Sequence, residues 1–190
     1  MRAVAAALLV VLCAPSWSFA EEWTEFVNRE DRFLVNFPGQ PSIRDATWQP
    51  QRGQAVPARV YTVQDGRSRY SVTVANLGSI REVSDVKGAI AWEAWNFRKR
   101  GGKVTYDAYA QVDRIDGHLL RIINADGTET IAAIHEHDRR LYILEADVPP
   151  NTPGAVHFQQ SLAILDADGK VIRYELDADG NRIRRVPRAD

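Results

Sequence analysis

Asp166-Ala167-Asp168-Gly169 returns eleven residues later as Asp177-Ala178-Asp179-Gly180. Alternate carboxylates followed by glycine are how a calcium loop opens: the carboxylates converge on one hard cation and glycine permits the sharp bend. Such a loop closes on a bidentate glutamate at its twelfth position, which here is Asp177 counted from Asp166 and Arg188 counted from Asp177. Asp-Gly is also ordinary hairpin chemistry, and the sequence is read as two turns. His135 and His137 stand two apart in a strand-like segment, so both rings share a face and could ligate one zinc or copper ion. Two ligands do not make a four-coordinate site. The structural alternative places both histidines at the exposed end of a strand, while Ile131 and Ala133 of the same face enter the core. No cofactor is assigned, and calcium or zinc binding stands as the alternative function.

Other reaction chemistry has little footing. There is no Gly-x-Ser-x-Gly elbow, and Ser161 falls on an apolar helical stripe. Gly101-Gly102 ends a helical segment, whereas a phosphate cradle needs glycines that begin one. The chain is therefore expected not to be an enzyme. Trp92 and Trp95 are the remaining candidates, as aromatic anchors for a partner. They serve that role only if exposed; the 49–56 loop or the C-terminal hairpin would otherwise cover them. Arg182, Arg184, Arg185 and Arg188 form a basic cluster that reads either as a contact for anionic lipid or a partner, or as a solvated tail.

The element that must position these residues is Ser84 to Gly101, the longest helical signal in the chain. Val86, Ile90, Ala94 and Phe97 fall within a quarter turn of a helical wheel, with Trp92 and Trp95 off that stripe. Ser84 or Asp85 is expected to cap its start, and Arg98, Lys99, Arg100 and Gly101 to form its end. Around it lie strand signals: 23–28, 33–37, 42–48, 57–63, 68–77, 103–112, 118–125, 128–137 and 141–148, joined by Asp-Gly and other tight-turn residues. The reading places Asp116-Gly117 at one of these turns. Leu141-Tyr142-Ile143-Leu144 is apolar at every position, as in a strand covered on both faces. A shorter helix of about three turns is expected to start at Asn151 or Thr152 followed by Pro153, with Ala155, Phe158, Leu162 and Ile164 or Leu165 inward.

The first twenty residues hold one cation at Arg2, a short apolar run and Ser18-Phe19-Ala20, the pattern of a cleaved secretory signal. The apolar run is too short for a membrane span. Removal after Ala20 would take away the single cysteine, Cys13, and send the mature chain to the periplasm or outside the cell. With 24 Lys and Arg against 25 Asp and Glu, the balance does not suggest a nucleic-acid binder.

Trp23 followed by Phe33-Leu34-Val35-Asn36-Phe37-Pro38-Gly39-Gln40-Pro41 resembles the opening of PsbP-like proteins. Arg140-Leu141-Tyr142-Ile143-Leu144 and Phe158-Gln159-Gln160-Ser161-Leu162 resemble their closing strand and helix. The resemblance spans about Trp23 to Leu165 and implies an α+β fold: an antiparallel sheet with helices on both faces, an α/β/α sandwich. It also implies an accessory or binding protein without catalytic machinery. The expected organisation is a signal peptide at 1–20, a PsbP-like domain at 21–165, and a hairpin appendage with a frayed basic end at 166–190. The expected function is an exported accessory protein of the bacterial envelope, monomeric, with a protein or small-molecule partner.

Overall fold

The computed structural model describes residues 23–185. The expected signal peptide and the basic end from Val186, with Arg188, lie outside the described residues.

Seven antiparallel strands make the main sheet: β3 (Ser42–Trp48), β4 (Val56–Asp65), β5 (Ser68–Asn76), β6 (Lys103–Val112), β7 (Ile115–Ile123), β8 (Glu129–His137) and β9 (Arg140–Val148), in the order β3-β4-β5-β9-β8-β7-β6. The first two strands, β1 (Trp23–Asn28) and β2 (Phe33–Pro38), do not extend that sheet. They form a separate three-stranded sheet with the two-residue β10 (Ala163–Ile164). Alternation puts Phe33, Val35 and Phe37 on one face of β2, and all three are fully buried.

Two apolar clusters meet the main sheet. Leu141 and Ile143 of β9 belong to one, with Leu120, Ile122, Ala132 and Ile134 and with Val86, Ala89, Ala94 and Phe97 of the long helix α1 (Val83–Lys99). Tyr142, Leu144, Ala146 and Val148 belong to the other, with Phe33, Val35, Phe37, Tyr70 and Val72 and with Ala155 and Phe158 of α2 (Gly154–Gln160). Successive residues of a strand point to opposite faces, so the unbroken apolar run of β9 is buried from both sides.

Helix α1 starts one residue before the expected Ser84. Glu82 occupies the cap position and makes no side-chain cap bond, so neither Ser84 nor Asp85 caps it. Its other end matches the chemistry expected there, with Gly101 at φ 93° after Arg98 and Lys99. The buried arc also differs. Ile90 is half-buried, while Glu93 is 6% exposed and accepts hydrogen bonds from Trp48 Nε1 (2.8 Å) and Asn96 Nδ2 (3.3 Å). Glu93→Ala leaves the buried Trp48 indole N–H without its acceptor, at an expected cost of about 2 kcal/mol. The urea midpoint measures this, and Trp48→Phe in the same background should cost less than it does in the native chain.

Helix α2 is seven residues, shorter than the three turns expected. Ser161 ends it: its hydroxyl donates to Phe158 O (2.9 Å) and accepts from Asn36 N–H (2.9 Å), tying the helix end to β2. Leu162, Ile164 and Leu165 are buried as expected, but from extended chain, because residues 163–164 pair with β2 instead of continuing the helix.

The turn between β6 and β7 is Asp113-Arg114, both at positive φ (47° and 64°), and not Asp116-Gly117. A two-residue loop with both residues left-handed matches the twist of the strands it joins. The strand consequently begins at Ile115, and Gly117 sits inside it. Beyond α2, β11 (Tyr174–Leu176) pairs with β12 (Arg182–Arg184). Ahead of this hairpin, Ile172 is buried in the same cluster as Phe33 and Phe158.

Candidate functional site

Helix α1 lies against β7 and β8, which leaves β6 projecting past it and opens a groove along the helix flank. The cavity holds about 870 Å³, within the range of small-molecule sites. One wall is Lys87, Ile90, Ala91, Ala94 and Arg98, a three-and-four spacing that keeps them on one side of the helix. The facing wall is Tyr109 and Gln111 of β6 with Asp116, Gly117 and His118 of β7.

At one end is a fixed polar cluster. Tyr109 and His118 are cross-strand partners, with ring centroids 5.3 Å apart and planes at 76°. Asp107, two residues before Tyr109 and so on the same face, accepts the Arg98 fork through Nε (2.6 Å) and Nη2 (2.8 Å) and the His118 Nε2–H (2.5 Å). These bonds, the Arg98 pair first, hold the Asp107 carboxyl down at about 2. The same bonds hold the Arg98, Asp107 and His118 groups in place beside the apolar Ile90, Ala91 and Ala94, an arrangement suited to orienting a bound group. A second cavity of about 570 Å³ shares Lys87, Ile90 and Asp116 with the first and adds His137, Tyr174 and Arg182.

The expected site residues fall elsewhere. Trp92 is half-buried under the 49–56 loop, donating from Nε1 to Gln49 O (3.0 Å). Trp95 is 41% exposed; its ring stacks on Trp92 at 4.6 Å and carries Lys99 Nζ 4.1 Å from its centroid. Its ring thus has partners from its own helix on either side in sequence, and neither tryptophan lines the groove.

Asp166 Oδ1 accepts the amide N–H groups of Asp168 (2.9 Å) and Lys170 (2.8 Å), and its carboxylate also pairs with Arg184. Asp177 repeats the pattern with Asp179 (3.0 Å) and Asn181 (2.8 Å). Both carboxylates are working as turn acceptors. Among the described residues, no group of three or more His, Cys, Asp or Glu is arranged to hold a metal ion.

His135 and His137 share a face, but they do not both sit at an exposed strand end. His137 Nε2 is 3.0 Å from the Tyr174 hydroxyl. His135 is 3% exposed and its Nδ1 has no hydrogen-bond partner among the described residues; it fits inside because its cross-strand neighbour is Gly117. Burial pushes its imidazole down to about 4 from an ordinary 6.5. The unfolded chain then binds the extra proton as pH falls below 6.5, while the folded chain resists until about pH 4. Stability is lost across that window, by about 2 kcal/mol between pH 7 and pH 5. Urea midpoints at the two pH values check this, and in His135→Ala that component of the pH dependence should vanish.

The groove cluster escaped sequence reasoning because Arg98, Asp107 and His118 come from three elements. The one local signal was the alternation of Asp107 with Tyr109 along one strand.

An antiparallel α+β fold with a groove flanking its long helix defines the architecture. The sequence matches no model of a known protein family and no curated protein. Among solved structures it is similar to cyanobacterial PsbP (CyanoP) from Synechocystis sp. PCC 6803, solved in solution: TM-score 0.50, 11% identity, covering 80% of this chain and 98% of that one. The fold is PsbP-like, as the segments at Trp23, Phe33 to Pro41 and Arg140 to Leu144 suggested. Among the described residues, no helix is long and apolar enough to cross a membrane.

Proposed function

We propose that this is an exported, non-enzymatic accessory protein of the bacterial envelope that works by binding, as a monomer, with the groove between α1 and β6–β7 as its binding site. The observation that carries the reading is the groove itself, where an apolar helix wall meets the prearranged Arg98-Asp107-His118 cluster. Likeness in fold to CyanoP supports the accessory role, and the signal-like first twenty residues support a periplasmic or secreted location after cleavage near Ala20. The sheet is read as roofed on both faces, by α1 on one and by α2 with the small sheet on the other.

The test uses the mature chain as bait in a periplasmic extract, beside Ala91→Trp, which fills the groove, and Trp95→Ala. Expected is at least a tenfold loss of the co-purifying molecule with Ala91→Trp and none with Trp95→Ala. The reverse pattern would move the site to the Trp92–Trp95 pair.

A further inference from the structure

We propose that the groove's occupant is an extended peptide segment of a partner protein, which joins β6 as an eighth strand of the main sheet and sets side chains against α1. This rests on the groove being the binding site. Strand β6 is an edge: among the described residues its one partner in the sheet is β7, so its outer row of backbone N–H and C=O groups has no strand of these residues to bond. Proteins usually guard such an edge with charge, proline or a bulge. Here the bulge lies at Val104/Tyr106, leaving Tyr106 to Val112 in unshifted register. The strand has no proline, its Asp107 is neutralised by Arg98, and its Lys103, unpaired among the described residues, stands before the bulge, outside the stretch in register. The opposite edge, β3, instead presents Arg44 and Asp45 to solvent.

The side chains of β6 fit a strand-addition site. Tyr109 is 90% exposed at the rim of the cavity, and Tyr106 is exposed on the other face, where it lines a separate cavity with Leu119 and Val156. Peptides that add to a sheet edge take their affinity from the main-chain ladder and their specificity from pockets receiving alternate side chains. An edge strand beside a helix-walled cavity supplies both.

A second copy of the chain fits less well. Two β6 strands meeting about a two-fold axis would touch mainly along their edges, because α1 is set back over β7 and β8. Such a contact along the edges leaves the cavity beside α1 empty. A peptide one strand thick can pair with the outer edge of β6 and turn alternate side chains toward the cavity. Charge adds a further requirement. Lys87 in the groove wall and Lys103 at the start of β6 have no carboxylate within 4.0 Å among the described residues, while Asp107 and Asp116 are each paired with arginine. The segment should therefore alternate apolar side chains with at least one carboxylate.

A phage-displayed library of random dodecapeptides, selected on the mature chain, tests this. Expected are sequences with alternating apolar residues and an acidic one, whose binding falls at least tenfold with Ala91→Trp and with Lys87→Glu. Tyr109→Ala, at a ring 90% exposed, serves as a second variant if Ala91→Trp fails to fold. Hydrogen exchange with a selected synthetic peptide bound should show new protection of alternate β6 amides. Peptides that need the groove but leave β6 unprotected would overturn strand addition and leave the groove standing. Peptides indifferent to Ala91→Trp, Lys87→Glu and Tyr109→Ala would overturn both, and a selection without enrichment would overturn the peptide assignment.

Discussion

Phe158→Ala is expected to cost about 4 kcal/mol, the usual price of emptying an aromatic site in a core. The Phe158 ring is fully buried, with its centroid 5.3 Å from that of Phe37 and 5.3 Å from that of Tyr70. It therefore joins the small sheet to the main one. Helix α2 cannot compensate for the loss. Seven residues are too few for a stable helix in water, and its start makes no side-chain cap bond. Besides packing, it is held by the buried Gln159 Nε2, which donates to Ala132 O at 2.8 Å. The urea midpoint should fall accordingly, and hydrogen exchange should show amides of 154–164 losing protection before those of β8 and β9. A midpoint within error of the native one would mean that the two sheets do not share a core at this ring.

Gly117→Ala is expected to destabilise by about 3 kcal/mol, the upper part of the range for overpacking a core. A Cβ there would lie 2.1 Å from His135 Nδ1, 2.3 Å from His135 Cε1 and 2.6 Å from the Ile134 carbonyl oxygen. The ring can turn away, but the carbonyl is backbone of β8, inside the sheet. His135→Ala should therefore recover part of the loss and no more. Native stability in the single variant would refute the close approach of the two strands. Full recovery in the double variant would show that the ring alone sets the constraint.

How far local pattern reached can be seen element by element. Strands 42–48 and 103–112 have the bounds their alternation and flanking turn residues suggested, because a strand's period of two and the breakers beside it are properties of neighbouring residues. Helix α1 was visible for the same reason, through its apolar period and its basic, glycine-terminated end. The misplaced turn at Asp116-Gly117 shows the limit. Asp-Gly is good turn chemistry, yet Asp113-Arg114 took the turn, because the register that pairs Tyr109 with His118 and Gly117 with His135 requires it there. Pairing energy is summed over a whole ladder and outweighs the preference of one dipeptide.

The amino-acid sequence by itself determined the α+β class, the long helix, most strands and the use of the two Asp-Ala-Asp-Gly segments as turns, since each depends on residues a few positions apart. The tertiary structure alone decided that β1 and β2 leave the main sheet, that Glu93 and His135 are buried, and that Arg98, Asp107 and His118 converge beside Tyr109. Those outcomes depend on which strand lies next to which and on how far a helix sits from a sheet edge. Such distances belong to the packed chain as a whole, and no window of neighbouring residues contains them.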